Sequence, residues 1–167
     1  IDTITEWKDI VTKETYMGDR NMVDLLKIIK KYYYHPEMKG SNSIKAVLPA
    51  IFTTSKFIKE RYSKPVGFGN NLKNIVMWQN DSQMGIPKDP YKLLPDKYAD
   101  LNRVKEELFI KNGKIQDGGT AMMAFGKMQF TDMDDKERNS LVKALLQYCE
   151  LDTLAMLMIY EHWASII

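Results

Sequence analysis

The pattern of apolar and polar positions is clearest at the C-terminal end of the chain. Neither proline nor glycine occurs between Asp132 and Trp163. Thr131 or Asp132 is placed to cap a helix there, with Asp134 and Asp135 in a first turn where the helix dipole favours anions. That helix is predicted to run to about Trp163. Its second half, residues 154–159, is apolar on every side and is predicted to be buried. Toward the other end, Ile4, Trp7, Ile10 and Val11 recur at helical spacing, which predicts a short amphipathic helix over residues 1–16, broken at Gly18. Leu25, Leu26, Ile28, Ile29 and Tyr32 suit a buried helix with a strand-like start at Met22 and Val23. Pro36 and Gly40 close that segment. Ser41, Asn42 and Ser43 can cap a helix from about Ile44, which Pro49 is expected to kink or end. A further helix is expected over residues 53–62.

The middle of the chain lacks such periodicity. Residues 63–96 hold Pro65, Pro87, Pro90 and Pro95, and Gly67, Gly69 and Gly85, among several asparagines. This composition predicts a long ordered loop, and Phe68, Trp78 and Tyr91 give it apolar groups to pack. A short helix is expected over 100–108 and a β-hairpin over 109–115 around Asn112-Gly113. Residues 63–118 thus form a loop-rich insertion in one incomplete domain spanning 1–167. Gly118-Gly119 then leads into a helical run over 120–128.

Charge and composition narrow the chemistry. The 167 residues carry 24 basic and 22 acidic side chains, a net charge of +2. That excludes a uniformly basic nucleic-acid binder but allows a local basic face. Such a face is suggested over residues 27–64, where nine basic side chains meet only Glu37 and Glu60. Lys39, Lys45 and Lys56 are its candidate nucleic-acid contacts, with Tyr32, Tyr33, Tyr34, Phe57 and Tyr62 interleaved as stacking platforms or as core. The longest apolar run is residues 154–160, far short of the ~20 a membrane span needs, so a cytoplasmic protein is expected. With one cysteine, Cys149, and two histidines, His35 and His162, a Cys/His zinc site is nearly excluded. Any metal site would use carboxylates and hard ions such as Mg²⁺ or Mn²⁺. His35 is expected to cap or pack in the turn before Pro36. His162 suits the helix end as a cation. Cys149 reads as a small buried apolar residue.

One residue breaks the apolar stripe of the last helix. Leu141, Leu145, Tyr148, Ala155 and Ile159 follow helical spacing, and Asp152 stands among them. A carboxylate there needs a hydrogen bond, an ion pair or a metal. It either bonds a neighbouring backbone group or arginine, or ligates a catalytic metal. Tyr148, four residues earlier, lies on the same face and could orient an attacking water.

Residues 148–156, Tyr-Cys-Glu-Leu-Asp-Thr-Leu-Ala-Met, resemble the C-terminal signature of a bacterial domain family of unknown function. Val23-Asp24-Leu25-Leu26, Tyr33-Tyr34-His35-Pro36, Met38-Lys39-Gly40-Ser41 and the stretch from Ser43 to Ala50 match further signatures. Asp89-Pro90-Tyr91-Lys92-Leu93-Leu94-Pro95 and Asp117-Gly118-Gly119-Thr120-Ala121 complete the set. That family resembles the DEDD-type exonucleases of the RNase H-like superfamily in their tyrosine form. The resemblance implies an α-rich α/β fold, the C-terminal helical portion of an RNase H-like domain, with a small β-hairpin and long ordered loops. It places a strand near residue 23 and a helix near residue 44. It implies a metal-dependent nuclease acting on DNA or RNA with Mg²⁺ or Mn²⁺, in which Asp152 ligates metal and Tyr148 positions the nucleophile. The first two acidic motifs of that group precede residue 1, so the 167 residues alone are expected to be inactive. A piece lacking its sheet is expected to expose an apolar face and to self-associate. The competing expectation is a non-catalytic module that binds nucleic acid or protein, with Asp152 structural.

Overall fold

In the computed structural model, the described residues are 6–18, 22–67, 69–81, 85–94, 115 and 117–167. The chain divides into two compact units, Ile1–Tyr34 and His35–Ile167. The expected helix over 100–108 and all but the last residue of the expected hairpin over 109–115 lie outside the described residues. No helix among the described residues is long and apolar enough to cross a membrane.

The first unit begins with a hairpin in place of the predicted helix. Strands β1 (Glu6–Lys8) and β2 (Thr15–Met17) pair antiparallel, with Trp7 opposite Tyr16. The connection is an Asp-nucleated turn. Asp9 Oδ1 accepts from the amides of Val11 and Thr12 at 2.7 and 2.8 Å, and Lys13 takes a left-handed φ of 61°. Local side-chain bonds of this type compete with helix formation. They leave Ile10 and Val11 exposed at the turn. Helix α1 (Leu25–Tyr32) follows. Its strand-like start is not found, because the Asp24 carboxylate takes the amides of Leu26 and Lys27 and so begins the helix. Of its apolar side chains, Ile29 is buried, whereas Leu26 and Tyr32 are exposed.

The second unit is helix-rich. A 3-10 turn at Pro36–Met38 is capped by His35, whose Nδ1 accepts from the Glu37 amide at 3.2 Å. Helix α2 (Ile44–Thr54) and helix α3 (Lys56–Tyr62) share Ser55, which ends one and caps the other. Pro49 neither ends nor splits α2. Val47, Leu48, Ala50, Ile51 and Phe52 surround it and are buried. Burial is worth about 1.5–3 kcal/mol per large side chain. The sum outweighs about 3 kcal/mol for an interior proline. The loop that follows is ordered by its apolar groups: Val66, Leu72, Met77, Tyr91 and Leu94 are buried. It includes a second 3-10 turn at Pro90–Leu93.

Helix α4 (Gly118–Phe130) and helix α5 (Asp135–Ala164) form an antiparallel pair. Asp134, rather than Thr131 or Asp132, caps α5, accepting from the Glu137 amide at 2.7 Å. A buried ion pair, Lys127 Nζ to Glu137 Oε1 at 3.0 Å, ties the two helices together. The thirty residues of α5 pack against α2, α3 and α4. Three expectations for this helix are corrected. Its second half is not buried all round, since Met156 and Leu157 are 45% and 39% exposed. Cys149 is exposed rather than buried. His162 is not a solvated cation at the helix end. It is buried, with Nδ1 3.0 Å from Ser55 Oγ.

Candidate functional site

The site is assembled from four segments of the second unit. Lys45 comes from the first turn of α2, which Ser43 caps, and is half-buried. Tyr91 comes from the second 3-10 turn, which Asp89 starts by accepting from the Tyr91 amide at 3.0 Å. Asp117 is the N-cap of α4. Tyr148 and Asp152 come from the middle of α5.

The Lys45 ammonium donates to the Tyr148 hydroxyl at 3.1 Å. It also lies 4.9 Å from the centre of the Tyr148 ring and 5.0 Å from that of Tyr91. The two rings are tilted by 51° with centroids 6.3 Å apart, so a single cation is shared between two aromatic faces. The Tyr91 hydroxyl donates to Asp152 Oδ1 at 2.6 Å. Tyr91 is buried and Asp152 is half-buried at the edge of the helix face. The deepest line of α5 runs through Leu151, Ala155 and Met158 instead. Asp152 thus sits beside the core rather than within it.

Protonation follows from this arrangement. Burial first, and then the hydrogen bond to Asp152, push the Tyr91 phenol well above its ordinary range. Burial and then the charge of Asp152 do the same for Tyr148. Both phenols therefore stay protonated as donors across the neutral range. Asp117 is held below its ordinary value chiefly by the Thr120 amide, with the Lys45 charge contributing against some burial. It accepts from the Thr120 amide and hydroxyl at 2.8 and 2.9 Å. Gly118 brings the start of α4 against Tyr148: a Cβ at Gly118 would stand 4.0 Å from the Tyr148 hydroxyl oxygen.

Of the residues expected from the sequence, Lys45, Tyr148 and Asp152 come together. Lys39 is placed in a neighbouring cleft of about 530 Å³, with Glu37, Lys88, Asp89 and Lys92 around it. Lys56 is exposed at the start of α3. The basic side chains of residues 27–64 divide between the two units, with Lys27, Lys30 and Lys31 on α1. Tyr91 and Asp117 were not singled out by sequence reasoning. Both lie in the signature segments at 89–95 and 117–121, where an aromatic residue in a loop and an aspartate before two glycines look like packing and capping.

The cluster offers an anion the Lys45 ammonium, since the Tyr91 phenol already donates to Asp152 and the Tyr148 phenol is drawn toward the same carboxylate. For a divalent cation the fit is incomplete. Among the described residues no group of three His, Cys, Asp or Glu side chains could hold a metal ion. Asp117 is engaged as a helix cap, and Asp152 offers one carboxylate with one oxygen already accepting from Tyr91. Comparison with family models, with curated proteins and with solved structures returns no match for this chain.

Proposed function

We propose that this chain is the C-terminal portion of an RNase H-like, DEDD-type nuclease that hydrolyses phosphodiester bonds of DNA or RNA in the cytoplasm. The observation that carries the reading is the convergence of Lys45, Tyr91, Tyr148 and Asp152, from three separate signature segments, on one patch. Lys45 neutralises a phosphate oxygen, as an ammonium does best where part of its hydration has been stripped. The Tyr148 hydroxyl accepts from Lys45 and is drawn by its own proton toward Asp152, so it orients a water beside that carboxylate. Asp152 lies on the same face, its position fixed by the proton of Tyr91. Mg²⁺ or Mn²⁺ at this patch would need carboxylates beyond those the described residues bring to Asp152. The 167 residues alone are accordingly expected to be inactive.

A second reading has one observation in its favour. The Tyr91 proton satisfies one oxygen of Asp152 inside the chain, as a structural carboxylate requires. The protein would then be a non-catalytic module binding nucleic acid or protein. The deciding experiment is an assay of the complete gene product with Mn²⁺ on end-labelled single- and double-stranded DNA and RNA, beside Asp152→Ala. Activity that vanishes in the variant supports the nuclease. Inactivity of both, with oligonucleotide binding that depends on Lys45, supports the module.

A further inference from the structure

Three charged groups meet at the candidate site, and the proposed reaction uses two of them, Lys45 and Asp152. Asp117 is the third. Both of its oxygens are fixed: Oδ1 accepts from the Thr120 amide at 2.8 Å and Oδ2 from the Thr120 hydroxyl at 2.9 Å. These bonds begin α4. They need an oxygen, not a charge, since Ser and Asn cap helices about as well as Asp does. The residue after the cap borders the site. A Cβ on Gly118 would stand 4.0 Å from the Tyr148 hydroxyl oxygen, and that oxygen accepts from the Lys45 ammonium at 3.1 Å. Asp117 therefore adjoins Lys45 from the start of α4, while Tyr148 and Asp152 approach it from the middle of α5.

The charges agree with this placement. After the Thr120 amide, the Lys45 charge helps to hold Asp117 below its ordinary value. After burial and Asp152, the Asp117 charge helps to raise Tyr148. One cation thus stands among two carboxylates. We propose that Asp117 is a positioning residue: its charge, apart from its capping bonds, keeps the Lys45 ammonium at the Tyr148 hydroxyl and loosens the site's hold on a phosphate. The second half of this inference rests on the nucleic-acid reading above, and the first half does not. A unit charge about 6–8 Å away, at an effective dielectric of about 40, changes the affinity for an anion by about 5–10-fold. Salt screens such an effect. Looser ground-state binding does not slow the chemical step, so it favours release and turnover.

The test compares the 167-residue chain with its Asp117→Asn variant. An asparagine keeps both bonds, its oxygen accepting from the Thr120 amide and its nitrogen donating to the Thr120 hydroxyl, and removes the charge. Helical content and melting temperature should stay as they are. Labelling with acetic anhydride, read by peptide mass, should modify Lys45 about 3-fold faster or more, because the amine is held less firmly. A fluorescent single-stranded oligonucleotide should bind about 5–10-fold more tightly by anisotropy at low salt, and the gain should fade at high salt. In the complete protein, KM and turnover should fall together, whereas a merely structural loss would lower turnover without tightening binding. Thr120→Val is the control. It removes the hydroxyl bond and keeps the charge, so it should cost stability and leave Lys45 labelling unchanged. Asp117→Ser, another neutral cap, carries the same test if the asparagine variant fails to fold. Lys45 labelling at the wild-type rate in a folded neutral variant would overturn the proposal, and so would an equal rise in Thr120→Val. Faster labelling with no oligonucleotide bound by either protein would support the hold on Lys45 and refute the nucleic-acid reading instead.

Discussion

Two carboxylates on α5, two residues apart, have opposite surroundings. Glu150 is enclosed. Its Oε2 accepts from the Asn71 amide at 2.9 Å and the Asn71 side-chain amide at 2.7 Å, and its Oε1 from the Leu72 amide at 3.3 Å. Gln147, one turn earlier, donates to the Asn71 carbonyl at 3.0 Å. The loop at residues 69–72 is thus buckled onto the helix, and the carboxylate is used up in holding it. Asp152 accepts one short bond from a phenol and faces a lysine-bearing cluster. A carboxylate surrounded by backbone amides is part of the scaffold. A carboxylate held only by phenols beside a cation keeps capacity for a ligand. The contrast is a claim about activity at one position and stability at the other, and substitution separates the two.

The largest expected effect is on activity at Asp152. In the complete protein, Asp152→Ala should lower nuclease turnover by at least about 100-fold, because loss of a metal's supporting partner alone costs about 10–100-fold. Its melting temperature should move little. Unchanged turnover in a folded variant would place Asp152 with Glu150 among the structural carboxylates.

The reverse is expected at Glu150. Glu150→Ala should destabilise the fold by about 1–2 kcal/mol in a urea titration, since three donors lose a charged acceptor but part of the site can rehydrate. Gly69→Ala attacks the same clasp from the loop side. Gly69 has φ of 89°, and an added Cβ would collide with the Glu150 carboxylate. The left-handed backbone alone costs about 1 kcal/mol or more for a residue with a side chain. Neither change should abolish oligonucleotide binding, and if either does, the clasp belongs to the site.

Tyr91→Phe falls between the two. It removes the donor from Asp152 and little volume. A stability loss of about 1 kcal/mol is expected, because Asp152 is only half-buried. Nuclease activity should fall about 10-fold or more if the phenol positions the carboxylate. A loss of stability with full activity would mark Tyr91 as packing alone.

What could be read from the sequence follows the range of the interactions. The long C-terminal helix, the helical run after Gly118-Gly119, the Ser43 cap and the His35 turn are set by neighbours in sequence, and all are found. The helix expected over 1–16 failed because Asp9 offers the backbone a local alternative that periodicity does not register. Pro49 was overruled by the burial of five neighbours, a tertiary effect. At the site, Asp152 was legible as a polar break in an apolar stripe, but its partner was not. Tyr91 lies 61 residues away and reaches Asp152 through a loop whose course depends on the Glu150 clasp. Cys149 and Met156 were expected inside because a helix apolar on several sides looks buried. The sequence alone does not say which stripe the rest of the chain covers.

The smallest effect separates the scaffold's own titrating groups. Burial, reinforced by the charge of His35, holds His162 below its ordinary value of 6.5. Its unfolded form therefore binds a proton more readily than its folded form. The stability it contributes is fully present above about pH 6.5 and is lost as pH falls below it. Glu150 is held below its ordinary value of 4.5: some burial raises it, but the bonds from Asn71 and Leu72 prevail. Its contribution is present above about pH 4.5 and is lost as pH falls further through the folded value. Stability measured against pH should thus decline in two steps, a shallow one beginning near pH 6.5 and another below pH 4.5. His162→Gln should remove the first and leave the second, and Glu150→Gln should leave the first and shrink the second, which Asp9 and Asp117 share. If His162→Gln left the upper step intact, another group would be titrating there, and the buried Ser55–His162 contact would have to remain in place when the imidazole is charged.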